Sequence, residues 1–308
     1  TQTPLQMGIA LTVLGVFSAI YHPVGIPMLV QKAEKPGFTI GVNGLAGNLG
    51  IALAALSTGF LVAWQGWRMA FIVPGLVSIA CGFVFAWSAP QEGGAPAKKK
   101  SNSVQLPKNV AWRTFAVMVA TATTTSVLFN ITTNGNAQLL AERLDGLVND
   151  PARLGMLLAA IYAVASLAQL VVGRLLDWFP VKPLFFCVLV LQIVAFGVAS
   201  QTSGWLWYVA AIGYMVMVFG AIPFSDTMVV RYIDDAMRSR VSGTRIAISF
   251  GFSSIAVYLL GPVVKVAGFT QLMVALTCVA ALGAIIVLFL PNEAQMNAHL
   301  KGGSSNHL

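Results

Sequence analysis

Nine apolar runs follow one another along this chain, near residues 5–30, 40–64, 67–89, 111–140, 153–177, 181–200, 204–230, 241–264 and 269–290. Each predicts a helix. At about 1.5 Å of rise per residue, roughly 20 residues cross a hydrocarbon core of about 30 Å. Helices that are apolar on every face find no place in a soluble domain, where one face must meet water. The pattern therefore predicts an all-α protein whose solvent is a lipid bilayer. Asp226 is the one formal charge set well inside a run.

Composition agrees: 57% of residues are hydrophobic and only 9% charged, against about a quarter charged in soluble domains. The net charge of +8 would suit a nucleic-acid partner, but its distribution points to topology instead. Lys32 and Lys35, Lys98–Lys100 with Lys108 and Arg113, Arg174 and Lys182, Arg231, Arg238, Arg240 and Arg245, and Lys301 fall on one side of the alternating runs. Only Arg68, Arg143, Arg153 and Lys265 fall on the other. Basic loops stay in the cytoplasm, so the C-terminus is expected inside a plasma (bacterial inner) membrane, with no nucleic acid as partner. Cys81, Cys187 and Cys278 lie in separate runs; they read as small packing residues rather than as metal ligands or a disulfide framework.

The chain echoes itself at an offset of about 200 residues, the spacing of a parallel repeat. Pro23 answers Pro223, Gly41–Trp64 answers Ser242–Val264 with Gly50 over Gly251, and Pro90 answers Pro291. The first three runs thus correspond to the last three. The middle three have no counterparts, so three preceding helices are expected to be missing and the chain is expected to be a fragment.

The loop after the fifth run reads Gly173-Arg174-Leu175-Leu176-Asp177-Trp178-Phe179-Pro180-Val181-Lys182. It resembles the G-x-L-x-D-R-x-G-R-K signature of the major facilitator superfamily at Gly173, Leu175, Asp177 and Lys182, and departs from it at Trp178, Pro180 and Val181. Gly66-Trp67-Arg68-Met69-Ala70-Phe71 is similar to that superfamily's opening of the sixth helix. Tyr21-His22-Pro23-Val24-Gly25 and Asn43-Gly44-Leu45-Ala46-Gly47-Asn48-Leu49-Gly50 resemble its fosmidomycin-resistance-like efflux branch. The family's antiporter glycines are replaced here by Ala54-Ala55 and Thr58-Gly59.

The resemblance implies nine of twelve transmembrane helices. Residues 1–90 are the remainder of an N-terminal half (helices 4–6), 91–110 a cytoplasmic basic linker, 111–291 a six-helix C-terminal half (helices 7–12) and 292–308 a cytoplasmic tail. It also implies that Gly173, Asp177 and Lys182 latch the halves on the cytoplasmic side. By the same resemblance, the first and fourth helices of each half line a central cavity, which would draw substrate contacts from Tyr21, His22, Thr125, Asn130, Asn134 and Tyr214.

Several residues carry expectations of their own. His22 is an ionisable group at membrane depth; it either couples protons, as histidine side chains can, or braces the bend that Pro23 should impose. Gly41, Gly44, Gly47 and Gly50 recur every third position, as on a close-packing face. The fourth run is the most polar, and Asn134-Gly135-Asn136 predicts a local unwinding. Asp226, with Arg231, Arg240 and Arg245 nearby in sequence, predicts either a gate salt bridge or a static ion pair.

The function expected is secondary transport of a small organic solute by alternating access, coupled to protons or another ion, in the direction of efflux. The chain would act as a monomer when full length. A membrane-embedded enzyme is the alternative from another class, and a channel a third. The sequence has no ATP-binding motif, no paired intramembrane acids and no H-E-x-x-H, and no cofactor or metal is expected.

Overall fold

The computed structural model describes residues 1–31, 33–88, 108–233 and 235–291. The linker expected over 91–110 falls outside them except at its last three positions, as do Lys32, Lys98–Lys100 and the tail 292–308. The elements are α1 (Pro4–Ser18), α2 (Tyr21–Val30), α3 (Pro36–Gln65), α4 (Met69–Ser88), α5 (Lys108–Arg143), α6 (Pro151–Trp178), α7 (Val181–Gln201), α8 (Gly204–Tyr232) and α9 (Asp235–Leu288). Six of the described helices are long and apolar enough to cross a membrane.

The helices divide the apolar runs differently from their simple count. The first run is cut at Ala19–Ile20 into α1 and α2. Pro23 has no N–H to offer the Ala19 carbonyl four residues back, so the ladder is interrupted just where the turn falls. The last two runs form one assigned helix, α9, with a break at Gly268, whose φ of 79° and ψ of 168° are not helical. Glycine takes that positive φ without a Cβ clash.

The expected unwinding at Asn134-Gly135-Asn136 does not occur: α5 continues through it to Arg143. The polar side chains find helical partners instead. Asn134 donates from Nδ2 to the Asn130 carbonyl at 2.8 Å. The hydroxyls of Thr121, Thr123, Thr132 and Thr133 each donate to the carbonyl four residues back, at 2.7–2.8 Å. With no competing water, such back-bonding hides a hydroxyl in hydrocarbon at little cost.

The core lies among α5–α9. Helix α8 is its centre, with Trp207, Tyr214, Phe219 and Phe224 all buried. Phe185 stacks on Phe224 at 4.4 Å between centroids, and Phe196 on Tyr214 at 4.9 Å. By contrast α1 and α4 bury no residue. Their exposed apolar surface costs nothing against lipid tails, which are as apolar as the side chains.

Helix α3 meets α6 through glycine. A Cβ on Gly41 would lie 2.5 Å from the Gln169 carbonyl oxygen, and one on Gly173 would lie 3.0 Å from the Gly41 Cα. Gly37 and Gly44 complete the contact. Farther along α3 the glycines leave the contact: Cβ atoms on Gly47 and Gly50 would meet nothing within 4 Å. The expected face of Gly41, Gly44, Gly47 and Gly50 is corrected accordingly. A three-residue step turns a helix by about 300°, so each such step slips about 60° around it. Positions 37, 41 and 44 stay within about 60° of one another, whereas 47 and 50 rotate away from α6.

Alanine therefore has opposite effects along α3. Gly41→Ala is expected to destabilise, because backbone atoms of α6 stand in the way. Gly50→Ala is expected to stabilise by up to about 1 kcal/mol through helix propensity alone. Thermal unfolding of the two variants in detergent checks this; equal shifts of the same sign would remove the close crossing.

Candidate functional site

Two groups of polar side chains flank the α3–α6 crossing. The first sits at the start of α3. Pro36 occupies the first helical position, so the first free N–H groups belong to Gly37 and Phe38. Both donate to Asp177 near the end of α6, to Oδ1 and Oδ2 respectively, each at 2.8 Å. Asp177 thus caps a helix that is not its own, with its charge against the positive end of the α3 dipole. Gly37 makes the approach possible, since a Cβ there would stand 2.5 Å from the Gly173 carbonyl oxygen. The Arg174 guanidinium lies over the Phe38 ring at 4.9 Å. Lys182 stands in the first turn of α7.

The second group surrounds a cavity of about 450 Å³ on the other side of the crossing. Six helices line it: α2 with Tyr21 and His22, α3 with Asn43 and Asn48, α5 with Thr125 and Asn130, α6 with Gln169, α8 with Asp226, and α9 with Arg245 and Ser249. Tyr21 donates its hydroxyl to Asn43 Oδ1 at 2.5 Å, tying α2 to α3. His22 stands edge-on to Tyr21, 5.4 Å between ring centroids. Ser249 pairs with Thr123 at 3.3 Å and Ser253 donates to Ser126 at 2.8 Å, joining α9 to α5.

On the cavity wall Arg245 Nη2 donates to Asp226 Oδ1 at 2.6 Å. Side-chain exposure is 6% for Arg245 and 11% for Asp226, so the pair is withdrawn from bulk solvent but borders the cavity. Arg231 takes no part in it. Five residues along a helix turn about 140° from the start, and the Arg231 guanidinium instead donates to the Leu176 and Phe179 carbonyls at the end of α6. A cation is favoured there by the negative helix terminus.

Four of the six expected cavity residues line it: Tyr21, His22, Thr125 and Asn130. Two do not. Asn134 lies one turn beyond Asn130 on the same helix and bonds back to it. Tyr214 is fully buried inside the helix bundle, where its hydroxyl donates to Asn136 Oδ1 at 2.8 Å. Its expected role followed from the helix it occupies, but it sits on the face of α8 turned toward α5 and α7.

Asn43, Asn48 and Gln169 went unrecognised in the sequence. The signal for Gln169 was present: one amide stands within Ala165-Ser166-Leu167-Ala168-Gln169-Leu170-Val171, and a polar side chain at membrane depth calls for a partner or a function. Asn43 and Asn48 are interleaved with the glycines of α3, whose spacing gives a packing pattern and no signal for a cavity.

Residues 1–145 match the family model of the Major Facilitator Superfamily. Solved structures that share the fold include two symporters. One is the MFS proton:xylose symporter XylE bound to 6-bromo-6-deoxy-D-glucose, with TM-score 0.65, 14% identity, and coverage of 88% of this chain and 67% of that one. The other is the E. coli fucose:proton symporter FucP, with TM-score 0.61, 8% identity, and coverage of 88% of this chain and 73% of that one. No curated protein matches the sequence. The chain is an all-α membrane protein with the fold of this superfamily, and the matches are to transporters, not enzymes.

Tyr214→Phe is expected to cost about 1–3 kcal/mol, since it leaves Asn136 Oδ1 buried without its donor. Thermal unfolding reads this loss. Solute binding in the cavity should be unchanged, and a binding defect without a stability loss would put Tyr214 back at the site.

Proposed function

We propose that the chain forms a secondary carrier that moves a small organic solute across the membrane by alternating access, coupled to protons. The observation that carries this reading is the position of the cavity. It lies beside the α3–α6 crossing and takes its lining from both sides of it, α2 and α3 on one and α5, α6, α8 and α9 on the other. A site shared between two groups of helices opens to one membrane face or the other as the groups tilt.

The glycine crossing and the Asp177 cap close one end. The Lys and Arg distribution makes that end cytoplasmic, so this conformation is closed to the cytoplasm. Opening inward would separate Asp177 from Gly37 and Phe38, and Asp177 with Gly173 then acts as the cytoplasmic latch. Both solved relatives named above are proton symporters by their titles, which supports proton coupling here. His22 is the proton-carrying candidate, exposed on the cavity wall. The run Tyr21-His22-Pro23-Val24-Gly25 favours export as the direction.

The test is solute flux in proteoliposomes under an imposed pH gradient. The gradient should accelerate net flux by wild type. His22→Gln should lose that acceleration and keep solute exchange at equal concentrations, which needs no net proton movement. Acceleration that survives in His22→Gln would move the coupling role to another residue; flux indifferent to the gradient in wild type would remove coupling altogether.

A further inference from the structure

Four side chains that line the cavity carry five buried polar atoms with no hydrogen-bond partner in the protein: Asn48 Nδ2, Thr125 Oγ1, both amide atoms of Gln169 and Arg245 Nε. All four side chains are at least nine-tenths buried: Asn48 is 6% exposed, Thr125 5%, Gln169 1% and Arg245 5%. They come from α3, α5, α6 and α9, and each borders the same cavity. A buried unpaired donor is expensive, about 1–3 kcal/mol each. Gln192 on α7 is also unpaired, but it does not line the cavity. Four such side chains, from four helices, border one space, and a small turn of a side chain there would give it a partner inside the cavity.

Their chemistry is asymmetric. Asn48 Nδ2, Gln169 Nε2 and Arg245 Nε can only donate; Gln169 Oε1 can only accept, and Thr125 Oγ1 can do either. The complementary solute is therefore rich in acceptors. The guanidinium narrows it further. The Nε–Nη2 edge of arginine presents two parallel N–H groups that match a carboxylate. Asp226 holds Nη2 through one oxygen and leaves Nε empty. The other titratable groups on the wall are Tyr21 and His22 from α2; α3, α5 and α6 contribute none.

We propose that the carrier's solute is a small hydroxylated organic anion, whose carboxylate takes the Nε–Nη2 edge of Arg245 in competition with Asp226, while its hydroxyls meet Gln169, Asn48 and Thr125. The ion pair then serves as a placeholder. Asp226 keeps the guanidinium compensated when the cavity is empty, and the solute carboxylate replaces it on binding. The inference rests on the carrier reading for its site but names a ligand class that reading leaves open.

The experiment measures binding to the purified full chain in detergent, by calorimetry at constant ionic strength, with sodium gluconate, neutral xylitol and choline chloride as probes. Wild type should bind gluconate at least about tenfold more tightly than xylitol or choline. Asp226→Asn should tighten gluconate binding by about tenfold more and leave xylitol unchanged, because the competing carboxylate is gone. Asn48→Leu, which leaves the ion pair intact, should weaken gluconate binding and decides the matter if Asp226→Asn does not fold.

Xylitol or choline binding as tightly as gluconate would overturn the proposal, as would weaker gluconate binding in Asp226→Asn or none in either protein. Counterflow in proteoliposomes separates this from the carrier reading. Xylitol exchanged while gluconate is ignored would keep the carrier and discard the anion. Gluconate bound but not exchanged would keep the ligand class and discard the carrier.

Discussion

Inside a bilayer a polar group has no water to fall back on, and most of this structure follows from that. Each buried N–H, C=O or hydroxyl must find its partner within the protein or stay unpaired at a cost of several kcal/mol. Helix is the local answer for the backbone. The threonines of α5 extend the same answer to side chains by bonding back one turn. Tyr214 and Asn136 solve it pairwise between α8 and α5, and Asp177 solves it between α6 and the open N–H groups of α3. Where no partner is supplied by several helices at once, the result is a polar cavity, and the unpaired groups on its wall become the interesting ones.

The same shortage of alternatives explains how α3 and α6 hold together where they cross. Lipid offers no hydrophobic drive to press α3 onto α6. Contact needs backbones close enough for dispersion and an electrostatic clasp at the end. Gly37, Gly41 and Gly173 supply the first, and Asp177 supplies the second. By Gly47 the glycines have rotated off the contact face, and Gly44, Gly47 and Asn48 line the cavity instead. The close crossing and the cavity lining are thus set by the phase of one helix, α3.

Charge placement obeys a related logic. Asp226 and Arg245 stand on adjacent helices at a cavity wall, each compensating the other where neither could stand alone cheaply. Arg231 has the nearer place in sequence, yet helix geometry turns it away to the carbonyls at the end of α6. A pairing argued from sequence distance alone picks the wrong arginine whenever the interval is not three or four residues.

The amino-acid sequence by itself determined that this is a membrane protein of helices, and which superfamily's fold it has. Apolar runs of bilayer length allow little else, and short signatures such as Gly173–Lys182 sit at fixed topological places. Through the family resemblance it also marked Tyr21, His22, Thr125 and Asn130 for the cavity, and with them Asn134 and Tyr214, which do not line it. Only the tertiary structure decided which of these face one another. The phase of a helix separates Gly44 from Gly47 and turns Tyr214 inward; one turn of rise takes Asn134 out of the cavity that Asn130 lines, and the packing of α9 on α8 pairs Asp226 with Arg245 rather than with Arg231. Phase relative to a neighbouring helix depends on how the helices cross, and that is set by contacts between residues more than a hundred positions apart, which no local pattern encodes.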